Sequence, residues 1–151
     1  MKITEAIEIL KTEKQHGERL FCLYGNYEHA KYIIHKVFGP SVNSSIFRNI
    51  SKIYKGKWRN AKCLVYSTYF EKPKFIRNMS KDCKKFLFEL DGYDEIEIPV
   101  VFLCSHDPTK DLKLQQLEVE KFKEKFIILD CSDLENDTNL EFLDYFFLLN
   151  L

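Results

Sequence analysis

Short apolar runs alternate along this chain with longer stretches whose apolar residues recur at helical spacing. The runs at 20–24 (Leu-Phe-Cys-Leu-Tyr), 62–67 (Lys-Cys-Leu-Val-Tyr-Ser), 98–104 (Ile-Pro-Val-Val-Phe-Leu-Cys) and 126–130 (Phe-Ile-Ile-Leu-Asp) read as strands. Their continuous apolar character predicts burial on both faces, as in a parallel sheet. A weaker run at 45–50 (Ser-Ile-Phe-Arg-Asn-Ile) reads as a further short strand. Pro99 falls at the beginning of its run, where a missing N–H does least harm.

Between these runs the period changes to that of a helix. Residues 5–15 are expected to form one, with Thr4 as its cap, Ile7, Ile9 and Leu10 on its apolar side, and Gly17 ending it. Residues 27–37 form a second, with Ile33, Ile34 and Val37 toward the sheet and Gly39-Pro40 as its stop. A third spans about 73–90, with Phe75, Ile76, Met79, Phe86 and Leu90 inward and a row of lysines outward. A fourth spans about 109–125 and a fifth 139–149. Strands alternating with helices predict an α/β fold, a five-stranded parallel sheet with helices on both faces, in one domain over residues 1–151.

Composition agrees with that picture. With 45% hydrophobic and 15% aromatic residues, 151 residues suffice for a core without disulfides or metal. No apolar run approaches the roughly 20 residues that span a bilayer, and Met1-Lys2-Ile3-Thr4 opens an amphipathic segment. A cytoplasmic protein without membrane contact is the expectation. The 5 cysteines are odd in number and form no CxxC pair; Cys22, Cys63, Cys104 and Cys131 lie in or beside strands and Cys83 on a helix, so buried free thiols are expected.

The zero net charge conceals a division. Residues 1–87 carry 18 basic and 7 acidic side chains, a balance of +11; residues 88–151 carry 5 and 16, a balance of −11. Either one surface attracts acidic partners, or the two halves neutralise each other across the fold.

The turn after the first strand carries the most suggestive chemistry. Against the phosphate-binding pattern GxxxxGK[ST], Gly25 and Lys31 stand at the required spacing. Ala30 replaces the second glycine, and Tyr32 replaces the hydroxyl residue that would hold Mg²⁺. The degenerate loop Gly25, Ala30, Lys31 therefore has the place of a P-loop without all its parts. Lys31 either meets a phosphate or lies exposed on the first helical turn beside Glu28. No acidic pair follows a central strand to orient Mg²⁺ and water, so hydrolysis lacks its usual residues. Other positions at strand ends are Asn49-Ile50-Ser51, Ser67-Thr68, Ser105-His106-Asp107 and Asp130-Cys131-Ser132-Asp133. Asp107-Pro108-Thr109 reads as a helix cap before it reads as half of a catalytic pair with His106. His29 and His35 do not share a helix face, and Asp130 and Asp133 are too few for a hard cation. No catalytic residue, metal site or cofactor is assigned.

The basic connector at 51–60 is the remaining candidate. Lys52, Lys55, Lys57, Arg59 and Lys62 surround Ile53, Tyr54 and the only tryptophan, Trp58. An exposed tryptophan in that setting would anchor a protein interface, or stack on a nucleic-acid base with lysines on phosphate. Alternatively it folds back over the sheet edge.

Taken together, the run 20–28, the connector leading into Lys62-Cys63-Leu64-Val65-Tyr66, the strand Pro99-Val100-Val101-Phe102-Leu103-Cys104 and the charged helix ending in Phe126-Ile127-Ile128-Leu129-Asp130 resemble the N-terminal domain of the delta subunit of the bacterial DNA polymerase III clamp loader. The resemblance implies an AAA+-like fold with a degenerate phosphate loop and no ATP hydrolysis. It also implies binding, and opening, of the replicative sliding clamp in DNA replication, with other clamp-loader subunits as further partners and any DNA contact indirect or weak. The family inserts a hydrophobic pair into the clamp; here that pair falls at Lys57 and Trp58, which moves part of the anchor to Tyr54 or Ile53, with Arg59 alongside. Family members continue into a helical lid and collar beyond the span matched here. Two alternatives from other classes are a phosphotransferase or NTPase with a divergent P-loop using Gly25, Lys31 and Asp130, and a basic nucleic-acid-binding module.

Overall fold

The computed structural model describes residues 1–39, 41–44, 62–67, 98–110 and 115–138. Helix α1 (Ile3–Gln15) leads to strand β1 (Leu20–Tyr24), helix α2 (Tyr27–Phe38) and strand β2 (Ser41–Ser44). Strands β3 (Cys63–Ser67) and β4 (Val100–Cys104) follow, then a short 3₁₀ turn (Pro108–Lys110), helix α3 (Gln116–Lys125) and strand β5 (Ile127–Asp130). The strands lie side by side in the order β2-β3-β4-β1-β5, and every neighbouring pair is parallel. The α/β class with a parallel sheet therefore stands as expected. The helices at 73–90 and 139–149, the run at 45–50, Cys83 and the connector with Ile53, Tyr54, Lys57, Trp58 and Arg59 lie outside the described residues.

Both faces of the central strands are covered, which explains their unbroken apolar sequences. On one face Phe21, Leu23, Val101, Leu103, Cys63 and Val65 join Ala6, Leu10, Ile33, Ile34 and Phe38 from α1 and α2 in a single core. Phe21 and Phe38 meet edge to face at 5.0 Å between ring centroids. On the other face Phe102, which shares its side with Cys22 by register, meets Phe122 of α3 at 6.5 Å, and Phe122 stacks on Phe126 at 4.5 Å. Each of these buried rings is worth about 2–3 kcal/mol of transfer free energy. Pro99 sits just before β4, and its carbonyl accepts from the Leu64 N–H at 3.0 Å. At the entry to β4 the chain needs no donor from Pro99, so the proline is harmless there.

Three elements begin where the sequence pattern did not put them. The helix expected over 109–125 is a 3₁₀ turn at Pro108–Lys110 and then α3 from Gln116, with Gln115 in extended backbone before it. Strand β2 starts at Ser41, directly after Gly39 (φ +84°) ends α2, and pairs Ser41 to Ser44 with Cys63 to Tyr66. It is the edge of the sheet, so its backbone ladder forms without the apolar run that marks the central strands. Helix α1 begins at Ile3, so Thr4 lies inside its first turn and is not its cap. Lys2 holds the cap position in extended backbone because it is bridged to Glu135: the Ile3 N–H donates to the Glu135 carbonyl at 2.9 Å, and the Glu135 N–H to the Met1 carbonyl at 3.0 Å. A lysine cannot accept the free N–H groups of the first turn. Asp137, 133 positions away in sequence, accepts instead from the Thr4 N–H at 3.1 Å and from the Thr4 hydroxyl. Those bonds, above all the one from the hydroxyl, hold the Asp137 carboxyl below its ordinary range.

Because that carboxyl titrates lower in the folded chain than in the unfolded one, its contribution is present above the ordinary carboxylate range and disappears as pH falls through the folded value. Asp137→Ala should therefore lower the thermal midpoint at neutral pH, with the gap to wild type closing in strong acid; calorimetry at several pH values measures both.

Candidate functional site

Helix α2 leaves β1 toward one face of the sheet, while α3 leaves β4 toward the other. The place where the two chains part, at the carboxyl ends of the strands, is the usual ligand position in open parallel sheets. Tyr24, Gly25 and Asn26 bound it on one side, and Ser105, His106 and Asp107 on the other. Asp130, Cys131 and Ser132 close its flank after β5.

The turn from β1 into α2 contains only Gly25 and Asn26. Asn26 caps the helix, its side-chain oxygen accepting from the His29 N–H at 3.1 Å. Positions 27 to 31 of the phosphate-loop pattern are consequently helical, not wrapped as a loop with N–H groups converging on an anion. Gly25 has φ +98°, and a Cβ there would stand 2.3 Å from the Ser132 hydroxyl oxygen and 2.7 Å from the Ser132 backbone nitrogen. The Cys131 N–H donates to the Tyr24 carbonyl at 2.7 Å. The chain after β5 is thus packed on the turn, and only glycine fits beneath it.

Ala30 and Lys31 are both fully buried. The Lys31 ammonium is 3.0 Å from the Glu28 carboxylate and 4.4 Å from the centre of the Tyr27 ring. The expected proximity to Glu28 is present, but the expected exposure is not. Helix α2 is covered over most of its circumference, from Ala30 through Ile34, so the lysine stem is enclosed and its charge is satisfied within the helix. Burial, reinforced by Glu28, raises the Tyr27 phenol well above its usual value. Tyr32 is also buried, and the Lys36 ammonium is 5.7 Å from its ring centre.

After β4, Asp107 caps the 3₁₀ turn: its Oδ1 accepts from the Thr109 N–H at 2.9 Å and from the Thr109 hydroxyl at 2.6 Å. His106 is exposed beside it. The Tyr24 hydroxyl donates to the second Asp107 oxygen at 3.3 Å, and burial together with the charges of Asp107 and Asp130 raises its phenol. Asp130 accepts from the Ser132 N–H at 2.8 Å, and its carboxyl is held below the usual range chiefly by the Ser132 side chain. The sheet therefore gathers Tyr24, Asp107, Asp130 and Ser132 at one end. Of these, Tyr24 had no assigned role in the sequence, and Ser132 stood only within the strand-end position 130–133. Their signal is the register that aligns Tyr24 with both Cys104 and Asp130, which requires the strand order to be known.

Little of this is poised for chemistry. The thiols of Cys22, Cys63, Cys104 and Cys131 are free and buried, as expected, and burial pushes the Cys131 thiol up to about 12. Among the described residues no three His, Cys, Asp or Glu side chains converge as metal ligands would. Among them, too, no helix is long and apolar enough to cross a membrane. A scan against protein-family models finds no match for this chain, and a search of the curated proteins finds none either.

Three outcomes test this geometry. Gly25→Ala combines backbone strain with a clash against Ser132 and should cost about 2–4 kcal/mol in urea unfolding. Gly17→Ala, at φ +93° but with open space around it, should cost about 1 kcal/mol.

Removing Glu28 takes away a carboxylate 3.0 Å from a fully buried ammonium, whereas removing the ammonium leaves a carboxylate whose side chain is 37% exposed. Glu28→Ala should therefore destabilise by about 1–3 kcal/mol after discounting for that exposure, and Lys31→Met by clearly less.

Burial lowers the pKa of His29, against the opposing pull of a bond to the Cys131 backbone, and lowers that of His35 too. The unfolded chain then binds more protons below the ordinary value of 6.5, so stability falls as pH drops from there toward the folded values. The double variant His29→Gln/His35→Gln should show a flatter decline between about pH 7 and 5 in the same unfolding assay.

Proposed function

We propose that this is an AAA+-like domain that does not hydrolyse nucleotide and works by holding a protein partner. The observation that carries the first half is the two-residue turn after β1, packed beneath Ser132, with Lys31 already engaged by Glu28. A triphosphate would find neither a ring of free N–H groups nor an available lysine. The parallel sheet with helices on both faces is consistent with the same reading. The phosphotransferase alternative requires Lys31 to meet a phosphate, and a fully buried lysine paired within its own helix is poorly placed for that.

The partner follows from the resemblance to the clamp-loader delta subunit. On this reading the partner is the replicative sliding clamp, bound in the cytoplasm. Trp58, with Tyr54 and Ile53 nearby, fills an apolar pocket on it. Lys57, Arg59 and their basic neighbours steer the approach toward an acidic rim and speed encounter more than they tighten the complex. Loss of a central aromatic anchor commonly costs about 2–4 kcal/mol of binding.

Trp58→Ala should accordingly weaken capture of a purified sliding clamp by about 30-fold or more, with an unchanged circular dichroism spectrum. Repeating the capture at two salt concentrations, beside a DNA-binding assay, separates the readings. DNA affinity that collapses with salt while the clamp is ignored supports the nucleic-acid module instead. Tight Mg²⁺-ATP binding lost in Lys31→Ala supports the phosphotransferase, and an unfolded Trp58→Ala returns the tryptophan to the core.

A further inference from the structure

We draw no further inference here: the strongest candidate, the acidic cluster of Asp107 and Asp130 around the Tyr24 hydroxyl at the carboxyl ends of β1, β4 and β5, belongs to the site already described, and its carboxylates are taken up by local bonds to Thr109 and Ser132 with nothing among the described residues beside them that points to a ligand.

Discussion

Strand β1 is hydrogen-bonded along both edges and covered on both faces, and the rest of the described structure accommodates that confinement. Parallel pairing with β4 and β5 satisfies its backbone, so Leu20 to Leu23 can be buried without stranding a polar group. The same pairing brings the ends of β1 and β5 level, with Tyr24 opposite Asp130. Two chains leaving adjacent strands at one level must avoid each other. The collision is resolved at Gly25, whose missing Cβ leaves space for the Ser132 backbone. A longer turn would have room for a ligand, whereas this one is filled by protein.

The burial of Lys31 is a second consequence of the tight turn. Helix α2 starts at Tyr27, so position 31 falls in its second turn, where neighbouring structure surrounds it. Taking an ammonium out of water costs several kcal/mol even after relaxation, and a single exposed partner would not offset that. Glu28 lies one turn earlier at 3.0 Å, and the face of Tyr27 adds a favourable quadrupole at 4.4 Å. Glu28 also complements the positive end of the helix dipole in the first turn. The place an incoming anion would occupy therefore already has a carboxylate beside it, and that carboxylate is needed by the lysine.

The central strands were legible in the sequence because burial on both faces leaves no alternative to an unbroken apolar run; β1 falls on the expected residues 20–24. The edge strand β2 was not, since Ser41-Val42-Asn43-Ser44 joins the ladder by backbone bonds that any side chains permit. The cap of α1 was misassigned for a related reason. Thr4 has the right chemistry, but the bridge between Lys2 and Glu135 starts the helix two residues too early for it, and the acceptor comes from Asp137. Local rules see neither partner. The candidate site was legible as a set of strand ends and not as a cluster, because which ends meet depends on strand order. Gly25 and Lys31 match the spacing of a phosphate loop, but residues 27–37 were already expected to be helical, and Asn26 starts that helix by capping it.

The direction of the strands also bears on the charge division. All of them run the same way, so Asp107 and Asp130 lie at the carboxyl edge of the sheet, while Lys62, exposed just before β3, lies at the amino edge. At these positions the opposite charges do not sit against one another, whereas the Lys2 charge does act on the Asp137 carboxyl. On the proposed reading this separation matters. A partner with an acidic rim that met Lys62 at the amino edge would not have to pass Asp107 and Asp130. A nucleic acid drawn to that lysine would meet both carboxylates if it extended toward the carboxyl edge. Fixed charges separated by more than a Debye length of about 8 Å act nearly independently at physiological salt. On the proposed reading such a domain would meet an acidic partner at the amino edge, while at the carboxyl edge the turn after β1 is already packed against Ser132.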